Sequence, residues 1–157
     1  MEVIINDIED LKEYLHIDEY GKRIYFVFDT VTFNCAVPGN WHFDYTFSNG
    51  TSTDYYVEIL AKNITFNYFA NFDYILAKFI RCTELSCNQL HVDNSICGDK
   101  ITAYMLFGNK IKSNYLSVVY IDCREVDAKD TYINYKHYHR LKANNIRTLE
   151  EEDIDKN

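Results

Sequence analysis

The feature that most constrains this chain is a recurrence between residues 59 and 128, where a large apolar residue and a smaller one, two positions on, return every five residues. The pairs are Ile59/Ala61, Ile64/Phe66, Phe69/Asn71, Ile75/Ala77, Ile80/Cys82, Leu85/Cys87 and Leu90/Val92, continuing from Ile96/Gly98 through Ile101/Ala103, Leu106/Gly108, Ile111/Ser113, Leu116/Val118 and Ile121/Cys123 to Val126/Ala128. A period of five matches neither a helix of 3.6 residues per turn nor a strand that alternates strictly at two. It fits a chain that runs a short strand, turns a corner and starts again, with the paired residues facing inward. Of the steps between the 14 units, two are six residues long: Phe69 to Ile75 and Leu90 to Ile96. They lie four units apart. If one coil holds four units, both extra residues fall at the same corner, where a stacked bulge is tolerated. The sequence therefore predicts a mainly β fold, a β-solenoid (β-helix) with four short sides and four units to a coil. In that register Ile59, Ile80, Ile101 and Ile121 stack along one edge, and Phe69, Leu90 and Ile111 along another.

The flanking residues read as covers for the two ends of this stack, giving one folded unit: an N-terminal cap over 1–58, the repeat over 59–128, and a C-terminal cap with an acidic tail over 129–157. Residues 7–16 have the spacing of a short α-helix, with Asp7 as cap, Asp10 three residues on, and Ile8, Leu11 and Leu15 on one face. Such a helix would close an end that otherwise exposes apolar side chains and unpaired backbone groups. Tyr20, Gly21 and Lys22 form a turn, and residues 24–28 a strand. Val31, Phe33, Cys35 and Val37 alternate, as do Trp41, Phe43, Tyr45 and Phe47, with Pro38, Gly39 and Asn40 between them. This is a hairpin, or else a degenerate first coil with bulky aromatics in place of the regular repeat.

The stretch 97–103, Cys-Gly-Asp-Lys-Ile-Thr-Ala, and the stretch 107–113, Phe-Gly-Asn-Lys-Ile-Lys-Ser, carry a family likeness. The pattern across 59–128 resembles that of pentapeptide-repeat proteins and of the short-repeat solenoid proteins of phages and mobile elements. That resemblance implies a right-handed quadrilateral β-helix. In typical members the small residue lies two positions before the large one, whereas here it lies two positions after. The likeness concerns architecture, and a fold does not dictate an activity.

Composition narrows the function. No apolar run approaches the ~18 residues of a membrane span, and residues 1–7 lack the basic and apolar regions of a secretory signal. Three of the five cysteines, Cys82, Cys87 and Cys123, fill small inward slots. Buried free thiols suit a reducing compartment, so the expectation is a cytoplasmic protein without a membrane partner. The net charge of −8 resides in residues 1–58, which carry three Lys or Arg against eleven Asp or Glu. Residues 75–128 are balanced, six against six. A continuous acidic rod of the kind that mimics DNA and binds a topoisomerase, as some pentapeptide-repeat proteins do, is therefore the weaker alternative, resting on the acidic N-terminal cap alone.

No metal-ligand spacing, nucleophile motif or glycine-rich phosphate loop is present, so the chain is read as no enzyme, with no metal or cofactor. His137 and His139 share a strand face and could hold a metal, but their spacing matches no metal-site motif, and this reading ranks far below the others. What remains is surface. Tyr104, Met105, Phe107, Tyr115, Val119 and Tyr120 occupy outward positions of the later coils, more large apolar side chains than a solvated face requires. In the segment 129–147, Tyr132, Tyr135 and Tyr138 interleave with Lys136, His137, His139, Arg140 and Lys142, a pattern that serves either to cap the last coil or to hold a partner. Tyr104, Met105, Phe107, Tyr115, Tyr120, Tyr132, Tyr135, Tyr138 and Arg140 are thus the candidate protein-binding residues. The expected partner is a host protein, such as a nucleic-acid enzyme or defence nuclease, bound and inhibited by a phage or mobile-element protein; direct nucleic-acid binding ranks below it. The acidic run 150–155 reads as a mobile tail.

Overall fold

A computed structural model describes residues 2–20, 22–39, 56–147 and 152–153, with side chains placed up to residue 134. The structure is mainly β, with a long parallel sheet and almost no helix. The elements in chain order are β1 (Glu2–Ile5), a 3₁₀ helix (Ile8–Tyr14), β2 (His16–Asp18), β3 (Arg23–Phe33), β4 (Tyr56–Phe66), β5 (Ala70–Arg147) and β6 (Glu152–Asp153). β1, β3, β4, β5 and β6 follow one another across the sheet in parallel, and β2 pairs antiparallel with β3.

β5 is 78 residues of continuous strand conformation. Laid out straight it would reach about 250 Å. It does not run straight: a Cβ added to Gly98 would lie 2.3 Å from Cys82 Sγ, and one on Gly108 would lie 3.4 Å from the Val92 carbonyl oxygen. Positions such as 82 and 98, or 92 and 108, are therefore in contact, and the chain returns onto itself at that interval. β4 and β5 pair at the same offset, Ile59 opposite Ile75 and Ile64 opposite Ile80.

This interval corrects the predicted register. It holds three repeat units, not four, so Ile59 stacks on Ile75 and not on Ile80. The quadrilateral register, with four units to a coil, is not what the chain adopts. The third unit also differs from expectation. Ala70 and Phe72 are the buried pair there, while Phe69 and Asn71 are partly exposed. Two physical reasons favour the shift. Phe72 gains a place among Phe33 and Phe66, with ring centroids 6.0 and 5.8 Å away, and buried aromatic surface dominates core energetics. Val37 also clamps the segment, its N–H donating to the Phe69 carbonyl and its own carbonyl accepting from Asn71 N–H, both at 2.8 Å. The six-residue steps thus fall between Ile64 and Ala70 and between Leu90 and Ile96, five units apart and not four. The coincidence that suggested four sides disappears.

Elsewhere the inward assignment holds. Ile75/Ala77, Ile80/Cys82, Leu85/Cys87, Leu90/Val92, Ile101/Ala103, Leu116/Val118, Ile121/Cys123 and Val126/Ala128 are all buried. The pattern runs one unit further than predicted, to Thr131 and Ile133. Small polar residues in the second slot repeat one geometry. Cys87 Sγ donates to the carbonyls of Gln89 (3.1 Å) and Asp73 (3.9 Å). Ser113 Oγ does so to Tyr115 (2.6 Å) and Asp99 (3.4 Å), and Cys123 Sγ to Glu125 (3.2 Å) and Asn109 (3.4 Å). In each case one donor reaches the carbonyl two residues on and another 14 residues back.

The N-terminal segment departs from the predicted α-helix. Residues Ile8–Tyr14 form a 3₁₀ helix with the expected capping box, Asp7 accepting from Glu9 N–H at 3.0 Å and Asp10 from Asp7 N–H at 3.3 Å. Leu11 is fully buried. The strands β1 and β2 on both sides leave room for only a short helical segment, and 3₁₀ turns are frequent as connectors of this kind. The segment lies along β3: β1 pairs with Thr30, Val31, Thr32 and Phe33, β2 with Arg23, Ile24 and Tyr25, and the Tyr14 and Phe28 rings meet at 5.2 Å between them. Val31 and Phe33 pair in parallel with Ile64 and Phe66, as a degenerate first rung would. Trp41, Phe43, Tyr45 and Phe47 lie outside the described residues. At the other end Glu152 and Asp153, predicted as mobile tail, pair in parallel with Tyr135 and Lys136.

Candidate functional site

The residues between inward pairs point outward and, because the chain restacks every three units, line up in rows along the sheet. Cross-strand neighbours interact at the strand spacing of about 4.8 Å. Two neighbouring rows together carry a chain of aromatic contacts. Tyr74 and His91 lie 5.3 Å apart by ring centroids, His91 stacks on Phe107 at 4.6 Å with 23° between planes, and Phe107 meets Tyr120 at 5.7 Å. Toward the N-terminal strands the same face continues through Leu76, paired with Leu60, and Leu60, paired with Val27, which is 54% exposed.

The electrostatics follow from this packing. Burial pushes His91 below its usual imidazole value, against the opposing pull of Asp93, so the ring is neutral at pH 7. Burial likewise raises the Tyr74 phenol, helped by the Glu58 carboxylate. Glu58, nearly buried beneath this end of the face, is raised by desolvation and partly offset by Arg23, whose Nη1 lies 3.3 Å from its carboxylate. Asp18 completes the group at 3.7 Å from Arg23.

The predicted site residues divide among separate faces. Phe107, Tyr120 and the half-buried Met105 belong to the ring ladder or lie beside it. Tyr104 and Tyr132 line a different face, an open groove of about 400 Å³ with Asn71, Ser86, Thr102 and Ser117. Tyr115 stands apart from both, with the Lys100 ammonium 5.7 Å from its ring centroid. The side chains of Tyr135, Tyr138 and Arg140 lie outside those described, as do those of His137 and His139; their backbone continues β5. Tyr74 and His91 escape the sequence reading. Only His91 and Phe107 recur at the 16-residue interval; Tyr74 and Tyr120 reach them from the other side of the inward Ile75 and Ile121, a relation that shows only in the fold.

The charged rows pair across rungs: Lys100 with Glu84 at 3.4 Å, Lys110 with Glu125 at 4.0 Å, and Lys62 with Asp29 at 3.0 Å. The buried thiols are chemically quiet, Cys82 pushed up to about 12 and Cys123 to about 11 by desolvation, with Cys87 raised by the same cause. Cys97 is exposed. Against this background of geometry, no family model matches the chain, and neither a curated protein nor a solved structure matches it.

Proposed function

We propose that the chain is a three-sided β-solenoid and that it works as a non-enzymatic protein-interaction module, binding and blocking a host protein such as a defence nuclease on behalf of a phage or mobile element. The observation that carries the binding reading is the ring ladder Tyr74, His91, Phe107 and Tyr120. Aromatic residues are enriched at the cores of protein interfaces because they bury much area at small entropic cost, and a ladder fixed by ring stacking is pre-ordered for a partner. The four rings are half-buried, so part of their apolar surface still faces solvent and is open to a partner. The non-enzymatic reading is supported by three outer ion pairs, Lys62–Asp29, Lys100–Glu84 and Lys110–Glu125, which engage charged groups with one another. The same pairs count against a DNA-mimicking row of carboxylates.

The test is affinity capture from a bacterial lysate with the wild-type chain and with Phe107→Ala/Tyr120→Ala. Loss of a specific captured protein, with an unchanged far-UV spectrum, is the expected result. Capture that survives the double substitution overturns the assignment of that face.

A further inference from the structure

The groove beside the ring ladder has a chemistry of its own. Its lining presents Asn71, Ser86, Thr102 and Ser117 at successive intervals of 15 or 16 residues, with Asp73 beside Asn71 and Asn88 beside Ser86, and includes the tyrosines Tyr104 and Tyr132. At about 400 Å³ it falls within the range of ligand sites, and it is open. We propose that this groove binds a linear, uncharged oligosaccharide lying along the stacking direction.

These four residues offer the same kind of group at every step of about 4.8 Å, which suits a polymer of identical units better than a compact molecule. The groups are of the right kind. Hydroxyls and amides both donate and accept hydrogen bonds, as sugar hydroxyls do, and the hydroxyls of Ser86, Thr102 and Ser117 have no partner among the described residues. Tyr104 is 57% exposed, an apolar ring with a polar tip able to cover the C–H face of a sugar. Charge excludes the main competing polymer. Asp73 is the sole charged residue among the described lining, and one of its carboxylate oxygens already accepts Val57 N–H at 2.8 Å. A phosphate backbone would need cations there. The proposal stands apart from the protein-binding reading, since neither Phe107 nor Tyr120 lines the groove.

Isothermal titration with cellohexaose, chitohexaose, maltohexaose and laminarihexaose, and with the matching disaccharides, tests it. The expected result is saturable binding of at least one hexasaccharide, at least about tenfold tighter than its disaccharide because contacts span several rungs. Tyr104→Ala and, separately, Thr102→Val weaken it by a comparable factor, whereas Phe107→Ala leaves it unchanged. Far-UV spectra establish that both groove variants are folded. Absence of saturable binding with all four sugars overturns the proposal, and so does equal affinity for disaccharide and hexasaccharide, or binding that both groove variants leave intact.

Discussion

Thr131 occupies the large inward slot of the last described unit, where earlier rungs carry apolar residues such as Leu85, Ile101 and Leu116. It is 3% exposed and its Oγ1 has no hydrogen-bond partner among the described residues. A buried hydroxyl left unpaired costs about 1–3 kcal/mol, and valine has nearly the same shape. Thr131→Val is therefore expected to stabilise the protein by about 1 kcal/mol, seen as a higher urea midpoint at unchanged slope. His91 is the second residue whose setting has a measurable consequence. Its native pKa lies below the usual value of 6.5, so the unfolded chain binds the extra proton more readily. Its contribution to stability is thus present above pH 6.5 and is lost as the pH falls from there toward the lowered native value. Urea titrations at pH 7.5 and at a pH near 5 should show a larger loss of stability for the wild type than for His91→Phe, which keeps the stack without the titrating group. Equal losses would mean that the ring is hydrated and that the ladder does not bury it.

At the scale of the element, Gly98 explains why a small slot must sometimes hold nothing at all. A Cβ there would sit 2.3 Å from Cys82 Sγ, 3.0 Å from the Cys82 carbonyl oxygen and 3.3 Å from Ile101 Cγ1. Overpacking of this kind costs about 1–3 kcal/mol. Gly98→Ala should lower stability by that amount, and Cys82→Ala in the same chain should restore part of it, since it removes the nearer sulfur but leaves the backbone oxygen. A double-mutant cycle on denaturation midpoints measures the coupling. The pairing of large and small inward residues, with Cys82 and Gly98 both in small slots, was legible in the sequence, as was the capping of residues 8–14. The rung length was not. Every five-residue unit looks like every other, so nothing local says whether Cys82 lies beneath Gly98 or Ala103. The misplaced pair Phe69/Asn71 shows the same limit: Phe69 and Phe72 are equally good inward candidates until Val37, far away in the chain, bonds to one side of the segment.

For the whole molecule, one apolar interior runs from Val3 to Ile133. Its buried polar members among the described residues are Glu58, held by Arg23, the satisfied Ser113 and the unpaired Thr131. Leu85 lies within it and is fully buried. An ionised carboxylate there would have no partner, which is the costliest form of burial. Leu85→Asp should give insoluble or unfolded protein, judged by soluble yield and far-UV spectrum, whereas an outward change in the same coil, such as Ser86→Asp, should be soluble and folded. The candidate face was only half visible from composition. Counting outward aromatics found Phe107 and Tyr120, but it also gathered Tyr104 and Tyr115, which the rung length sends to other faces. The residues that complete the ladder, Tyr74 and His91, lie 17 residues apart in the chain, and no local window of sequence joins them.

The placement of the N-terminal strands bears on what this molecule is prevented from becoming. A stack of parallel strands at a fixed spacing is the repeating pattern of a fibril, and each open edge is a template on which another chain can be laid down. β1, the 3₁₀ helix and β2 together occupy the edge of β3 opposite β4, partly with the strand direction reversed in β2. A newcomer arriving in register meets a surface with two different polarities and a helical turn between them. The protein is in this sense a terminated crystal, ordered like an endless array but finished on one side by a layer that cannot seed the next.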